Sequence, residues 1–214
     1  MASPVGSFKK LLYSMRDTLK QNSLVTDVGS VKGRLVSEME ALIPEGVRFI
    51  GSHPIAGSDS SGIAHARADL FEGARCIVTP TSRSDENAQR KIMSLWESFG
   101  ARVEIMDPML HDEIYAAVSH LPHLLAYALV NTVDDSNPEY LQYAGSGFKD
   151  TTRIALSSPE LWRDITLMNR ENLVALIDRL ESNLDLMASL IKNADAEGIE
   201  REFSRAQSLR NKLK

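Results

Sequence analysis

Apolar and polar residues follow two rhythms along this chain. Phe8, Leu11, Leu12, Met15 and Leu19 recur at three- and four-residue spacing, which predicts a helix over Ser7–Lys20 with one buried face. The run LVTDVGS then reads as a short strand ending in polar residues. Leu35, Val36, Met39 and Leu42 restore helical spacing over Val31–Leu42, and Pro44 and Gly46 close that helix. VRFIGSHP, RCIVTPT and ARVEIM are further strand candidates. Between the last two, Ser84 is placed to cap a helix with Asp85 and Glu86 in its first turn; Ile92, Leu95, Trp96 and Phe99 form its expected buried stripe, which Gly100 ends. Strands alternating with helices of this length imply a mostly parallel sheet covered by helices.

After Asp107-Pro108 the strand rhythm stops. Asp107 can cap a helix with Pro108 at its first position, continuing over Met109–Val133, and Ser158-Pro159 opens another by the same device. The stripe of the latter runs through Leu161, Ile165, Met168, Leu176, Leu180, Leu184, Met187 and Ile191, long enough to form a packing spine. The charged segment from Asp195 is expected to be a frayed or partner-dependent helix. The fold class is therefore α/β plus all-α, with an α/β part over residues 1–106 and an all-helical part over residues 107–214.

Composition narrows the function classes. With 214 residues, 43% of them hydrophobic, the chain can bury a sizeable core. A net charge of -5 and the lack of any Lys/Arg-rich run argue against nucleic acid as a partner. No apolar run approaches the roughly 20 residues of a membrane span, and the N-terminus lacks the apolar core of a secretory signal, so a cytoplasmic location is expected. Cys76 is the only cysteine, which excludes an internal disulfide; its apolar surroundings in RCIVTP suit a buried, inert thiol.

Three stretches could carry chemistry. In GSHPIAGSDSSG, Pro54 pushes His53 into extended geometry, so the strand would end with an imidazole at its tip. Ser58, Asp59, Ser60 and Ser61 offer polar contacts near it, and Gly57 and Gly62 permit tight turns, although Asp59 alone reads as a turn former. In HDEIYAAVSHLPH, Ser119 and His123 share a helical face, and His120 and His123 are three apart. Pro122 removes the donor for the Val118 carbonyl and should kink the helix. No third ligand stands at metal-binding spacing, so no metal site is expected. His111 and His65 lack such company and read as surface residues. In GSGFKDTTRIA, Gly145 and Gly147 loosen the backbone beside Lys149 and Arg153, and a guanidinium fork suits a carboxylate. A salt-bridged arginine at a helix start explains Arg153 equally well when that segment is taken alone. Ser30 and His53 both stand beyond strand ends, where ligands of open parallel sheets bind. No G-x-G-x-x-G occurs to receive a dinucleotide pyrophosphate.

TDVGSVKG (Thr26 to Gly33), FIGSHPIAGSDSSG, HDEIYAAVSHLPH and GSGFKDTTRIALSSPELWRDI, taken in order, resemble the prephenate/arogenate (cyclohexadienyl) dehydrogenase family of tyrosine biosynthesis. The resemblance extends from about Ser3 to near Ile191. It implies a partial doubly wound, Rossmann-like nicotinamide-dinucleotide-binding domain followed by a helical domain that dimerises and completes the substrate site. ASPVG looks like the end of that family's fourth nucleotide-domain strand, so the first strands and the glycine-rich turn are expected to be absent from this sequence.

The resemblance further implies that His53 accepts the proton of the ring hydroxyl as hydride leaves to NAD or NADP. Ser30 would stand between hydroxyl and nicotinamide, with Pro4 also at the cofactor. Arg153 would bind a substrate carboxylate, and Ser119 and His123 would line the pocket. Asp59 falls where relatives often carry glutamate. The implied substrate is prephenate or arogenate, and the implied partner a second copy of the chain. The alternative reading is a catalytically incompetent fragment that dimerises and binds substrate. Both readings require His53, Ser30 and Arg153 to converge on one acid-binding cavity.

Overall fold

The computed structural model describes residues 1–57 and 66–213; Ser58, Asp59, Ser60, Ser61, Gly62 and His65 lie outside the described residues. Four strands, β1 (Leu24–Thr26), β2 (Arg48–Ile55), β3 (Arg75–Thr79) and β4 (Arg102–Ile105), form one sheet in the order β1-β2-β3-β4. β1 runs parallel to β2, and β3 to β4, while β2 and β3 are antiparallel. Each parallel pair is joined through a helix, α2 (Gly33–Leu42) and α3 (Glu86–Ser98), because a same-direction return needs a crossover. Met1 lies alongside the end of β1: its ammonium donates to the Thr26 carbonyl, and its own carbonyl accepts from Val28 N.

Side chains of β2 alternate between two cores. Phe49 joins Val25 and the apolar faces of α2 and of α1 (Phe8–Met15), together with Ile165 of α7 (Pro159–Met168). Ile50 packs on the opposite side with Cys76, Val78, Ile92 and Trp96 under α3. Cys76 is fully buried, and burial pushes its thiol up to about 12, leaving it inert at neutral pH.

The remaining helices are α4 (Pro108–Tyr115), α5 (Leu121–Ser136), α6 (Ser146–Thr152), α8 (Arg170–Lys192) and α9 (Ala196–Arg210). Asp107 and Ser158 cap α4 and α7 with Pro at the first turn, as local sequence predicts. Contacts divide the chain into two compact units, Met1–Leu173 and Val174–Lys214.

Several expectations are corrected. His53 lies inside β2, opposite Ile77, rather than at its tip; β1 pairs β2 only as far as Ile50, and a strand with one side open tolerates Pro54. Asp85, not Ser84, caps α3 by accepting from Ala88 N, while Ser84 Oγ accepts from Thr81 N. Leu95 and Phe99 are exposed, so the α3 stripe narrows to Ala88, Ile92 and Trp96. The spine after Ser158 is broken at Asn169 (φ -109°, ψ 27°) into α7 and α8. The charged segment does form the expected helix, α9, capped by Asp195. Gly145 and Gly147 have no positive φ and open space around them, so neither backbone nor packing demands glycine there.

Gly51 does answer a packing demand. A Cβ there would lie 2.6 Å from Thr79 Oγ1 and 2.7 Å from Val36 Cγ2, so its absence lets α2 approach the sheet. Gly51→Ala should therefore cost about 1–3 kcal/mol through overpacking, read as a lower urea midpoint at unchanged m-value.

Candidate functional site

β1 ends in a turn organised by one buried carboxylate. Asp27 Oδ2 accepts from Gly29 N at 2.8 Å and from Lys32 Nζ at 2.5 Å, and Oδ1 accepts from Ser52 N at 3.1 Å. Both Asp27 and Lys32 are fully buried, and Lys32 Nζ also donates to the Val31 carbonyl. These bonds tie the Gly29–Lys32 turn, which carries Ser30, to β2 just ahead of His53.

A second buried carboxylate enters from α4. Asp112 Oδ1 accepts from Lys32 N at 2.6 Å and Oδ2 from Gly33 N at 2.8 Å, which caps α2, a helix whose own N-cap residue supplies no side-chain bond. A Cβ on Gly33 would sit 3.0 Å from Oδ2, so glycine there admits the carboxylate. Oδ1 also accepts from His111 Nδ1 at 2.8 Å, and His111 Nε2 lies 2.9 Å from His53 Nδ1. Tyr115, one helical turn after His111, packs on both rings, with centroids 4.5 Å from His111 and 5.1 Å from His53.

His53 is 9% exposed and His111 fully buried. Burial, reinforced by the charge of Lys32 and by the neighbouring histidines, holds His53 well below the usual imidazole range. Burial also lowers His111, against the opposing pull of Asp112. Both rings are neutral at physiological pH.

α4 passes into α5 through a π turn over Ala116–His120, where Leu121 N–H reaches back to the Ala116 carbonyl. The widened turn is the form taken by the interruption expected from Pro122. It brings His120 to the inside: 1% exposed, with Nδ1 accepting from Asn169 Nδ2, which also donates to the Asp112 carbonyl. Nε2 of His120 therefore carries the proton. It faces the Ser30 carbonyl, which favours the charged ring, without achieving hydrogen-bond geometry. Desolvation dominates and lowers His120 to about 4. His123 stacks on Trp162 at 3.5 Å between centroids, and its Nδ1 donates to the Ser119 carbonyl.

Of the predicted residues, Ser30 and His53 thus lie around His120, with Ser119 and His123 on the adjoining turn. Arg153 is exposed where α6 passes into the 3₁₀ turn Arg153–Leu156. Pro4 is exposed ahead of the turn Val5–Ser7. Asp59 lies outside the described residues. His111, expected at the surface, is at the centre; the available signal was its i, i+4 spacing to Tyr115. Asp112, Asp27, Lys32 and Asn169 were not singled out by sequence reasoning. Among the described residues no group of three metal-ligating side chains could hold an ion. A surface cleft of about 420 Å³ near Glu40, Arg48 and Arg83 lies at the start of β2, the opposite strand end from His53.

The prephenate dehydrogenase nucleotide-binding domain matches residues 1–105, and the prephenate dehydrogenase dimerization domain matches residues 107–205. The chain belongs to the prephenate dehydrogenase family. It is 35% identical to prephenate dehydrogenase of Bacillus subtilis, covering all of this chain and 58% of that protein. It is 31% identical to cyclohexadienyl dehydrogenase of Zymomonas mobilis, covering 99% of this chain and 73% of that protein. The crystal structure of Aquifex aeolicus prephenate dehydrogenase in complex with hydroxyphenyl propionate and NAD+ superposes at TM-score 0.90 and 39% identity, over all of this chain and 75% of that one. A Rossmann-like sheet domain followed by a helical domain matches the prephenate dehydrogenase structures over the part that this chain covers. No helix among the described residues is long and apolar enough to cross a membrane.

In this chain the buried histidines also link stability to pH. His120 stays neutral when folded down to about pH 4 but is protonated in the unfolded chain below about pH 6.5, so the unfolded state binds more protons in that window. Stability should fall as pH drops from about 6.5 to 4, by up to about 3 kcal/mol from His120 alone. His53 and His111 add in the same direction. Urea midpoints measured across that range should show the decline, and His120→Gln should flatten it.

Proposed function

We propose that this chain carries the catalytic and dimerisation parts of a prephenate or arogenate dehydrogenase, with the nucleotide-binding part over residues 1–106 and the substrate-binding, dimerising part from residue 107. The observation that carries the reading is a buried, neutral imidazole at His53, beside the turn that bears Ser30. Oxidation of a ring carbinol requires a base for the hydroxyl proton, and a neutral imidazole is that base.

His53 accepts the hydroxyl proton while the carbinol carbon loses hydride. Loss of the ring carboxylate as carbon dioxide then makes the ring aromatic, and the proton returns from His53 to the phenolic oxygen. The product is 4-hydroxyphenylpyruvate from prephenate, or tyrosine from arogenate. Ser30 orients the hydroxyl, Arg153 binds a carboxylate through its planar fork, and Ser119, His123 and Asp59 line the pocket. Half-buried Ser30 and exposed Pro4 suit the nicotinamide end of NAD or NADP. When bound, the nicotinamide supplies the hydride acceptor. Exposed apolar residues along α8, Leu184 and Ile191 among them, support a homodimer through the helical part. The reading carries with it a cytoplasmic location.

The alternative reading is a dimerising module that binds substrate without turnover. The two separate in one assay with prephenate or arogenate and NAD or NADP. The dehydrogenase accumulates reduced cofactor, and His53→Gln lowers kcat by about 10²–10⁴-fold. Arg153→Lys should raise KM about tenfold or more, because an ammonium cannot form the bidentate pair. The binding module takes up substrate saturably but reduces no cofactor.

A further inference from the structure

We infer that His111, held by Asp112, is a positioning residue that fixes the tautomer of His53, placing the ring proton on Nδ1 and the basic lone pair on Nε2. The inference rests on the reading of His53 as the proton acceptor. It follows from donors and acceptors taken in order along the buried chain. Each Asp112 oxygen already accepts a backbone N–H, from Lys32 on Oδ1 and from Gly33 on Oδ2. Its Oδ1, 2.8 Å from His111 Nδ1, therefore meets a third donor, and Nδ1 must carry that proton. A lone pair at Nδ1 would instead face the carboxylate across a buried contact.

A neutral His111 protonated at Nδ1 has its lone pair at Nε2. That nitrogen lies 2.9 Å from His53 Nδ1, so His53 must donate from Nδ1. The remaining nitrogen of His53, Nε2, is then the only basic atom of its ring. Tyr115 packs edge-on against His53, at 62° between planes, and so opposes rotation of the ring out of this arrangement. The relay differs from a carboxylate bonded directly to a catalytic histidine in having a second imidazole between them. The intermediate ring lets an anion that caps α2 govern a base on β2 without bringing its charge against that base.

The ring protons can be observed without substrate or cofactor. In protein labelled with 15N-histidine, imidazole 15N–1H correlation spectra near neutral pH should show His53 and His111 as Nδ1–H tautomers, with His53→Gln assigning the first set of peaks. His111→Phe keeps a ring but removes the acceptor; His53 should then acquire a substantial Nε2–H population, and kcat should fall about 100-fold or more with KM changed less than about threefold. His111→Gln offers a carbonyl oxygen to His53 Nδ1, and should restore both the tautomer and kcat to within about tenfold of wild type.

An Nε2–H His53 in the wild-type protein overturns the inference, as does an unchanged His53 tautomer in His111→Phe. Should His111→Phe fail to fold, the wild-type spectrum and His111→Gln still decide, since loss of the Nδ1–H tautomer in the glutamine variant also overturns it. A wild-type protein with the expected tautomers that neither binds prephenate or arogenate nor reduces cofactor overturns the dehydrogenase reading instead, which separates the two failures.

Discussion

The structure depends on satisfying one buried carboxylate. Asp112 is 4% exposed, and a charge so placed is tolerable only when its oxygens are fully hydrogen-bonded. Its donors are the first two amides at the start of α2 and the ring of His111. The bonds to α2 join residues about 80 positions apart in sequence, so α4 cannot shift without uncapping α2. The same carboxylate orients the histidine that meets the proposed base. Architecture and chemistry are therefore set by a single group, and the cap geometry that stabilises the helix is also the geometry that orders the imidazoles.

Asp27 and Lys32 play a complementary part on the sheet side. Their ion pair is fully buried, and such a pair contributes less through net stability than through the cost of separating its members. That cost holds the Gly29–Lys32 turn against β2. The Lys32 charge, next in importance to burial, also keeps His53 in its neutral form. The proposed base is thus placed among a buried cation and two neighbouring imidazoles, where protonation in the resting state is unfavourable.

Parts of this arrangement were legible because they are local. Asp107-Pro108 and Ser158-Pro159 open helices through bonds within a single turn, and the structure places both caps as expected. The Pro122 interruption was legible for the same reason, since removal of one amide perturbs the adjacent turn whatever surrounds it. His53 stood out through its neighbours, Pro54 above all. His111 was misread because periodicity marks which face of a helix is apolar and does not say what polar partner lies opposite. Asp85 displaced Ser84 as the cap of α3 because Ser84 Oγ is committed to Thr81 and Glu40, a long-range contact without a local signature. The break at Asn169 escaped notice too, since its amide is drawn to the Asp112 carbonyl and His120, far away in sequence.

The amino-acid sequence by itself determined the helix starts at Asp107 and Ser158, the inert thiol and the family, because propensity, capping and motif order are properties of residues near one another in the chain. Only the tertiary structure decided that the β2–β3 pairing is antiparallel, that His111 is buried, and that Asp112, His111 and His53 form one hydrogen-bonded line. The physical reason is that burial and hydrogen-bond partnership are set by whatever lies across the fold. A carboxylate at position 112 becomes the cap of a helix at position 33 only once both are enclosed in the same interior.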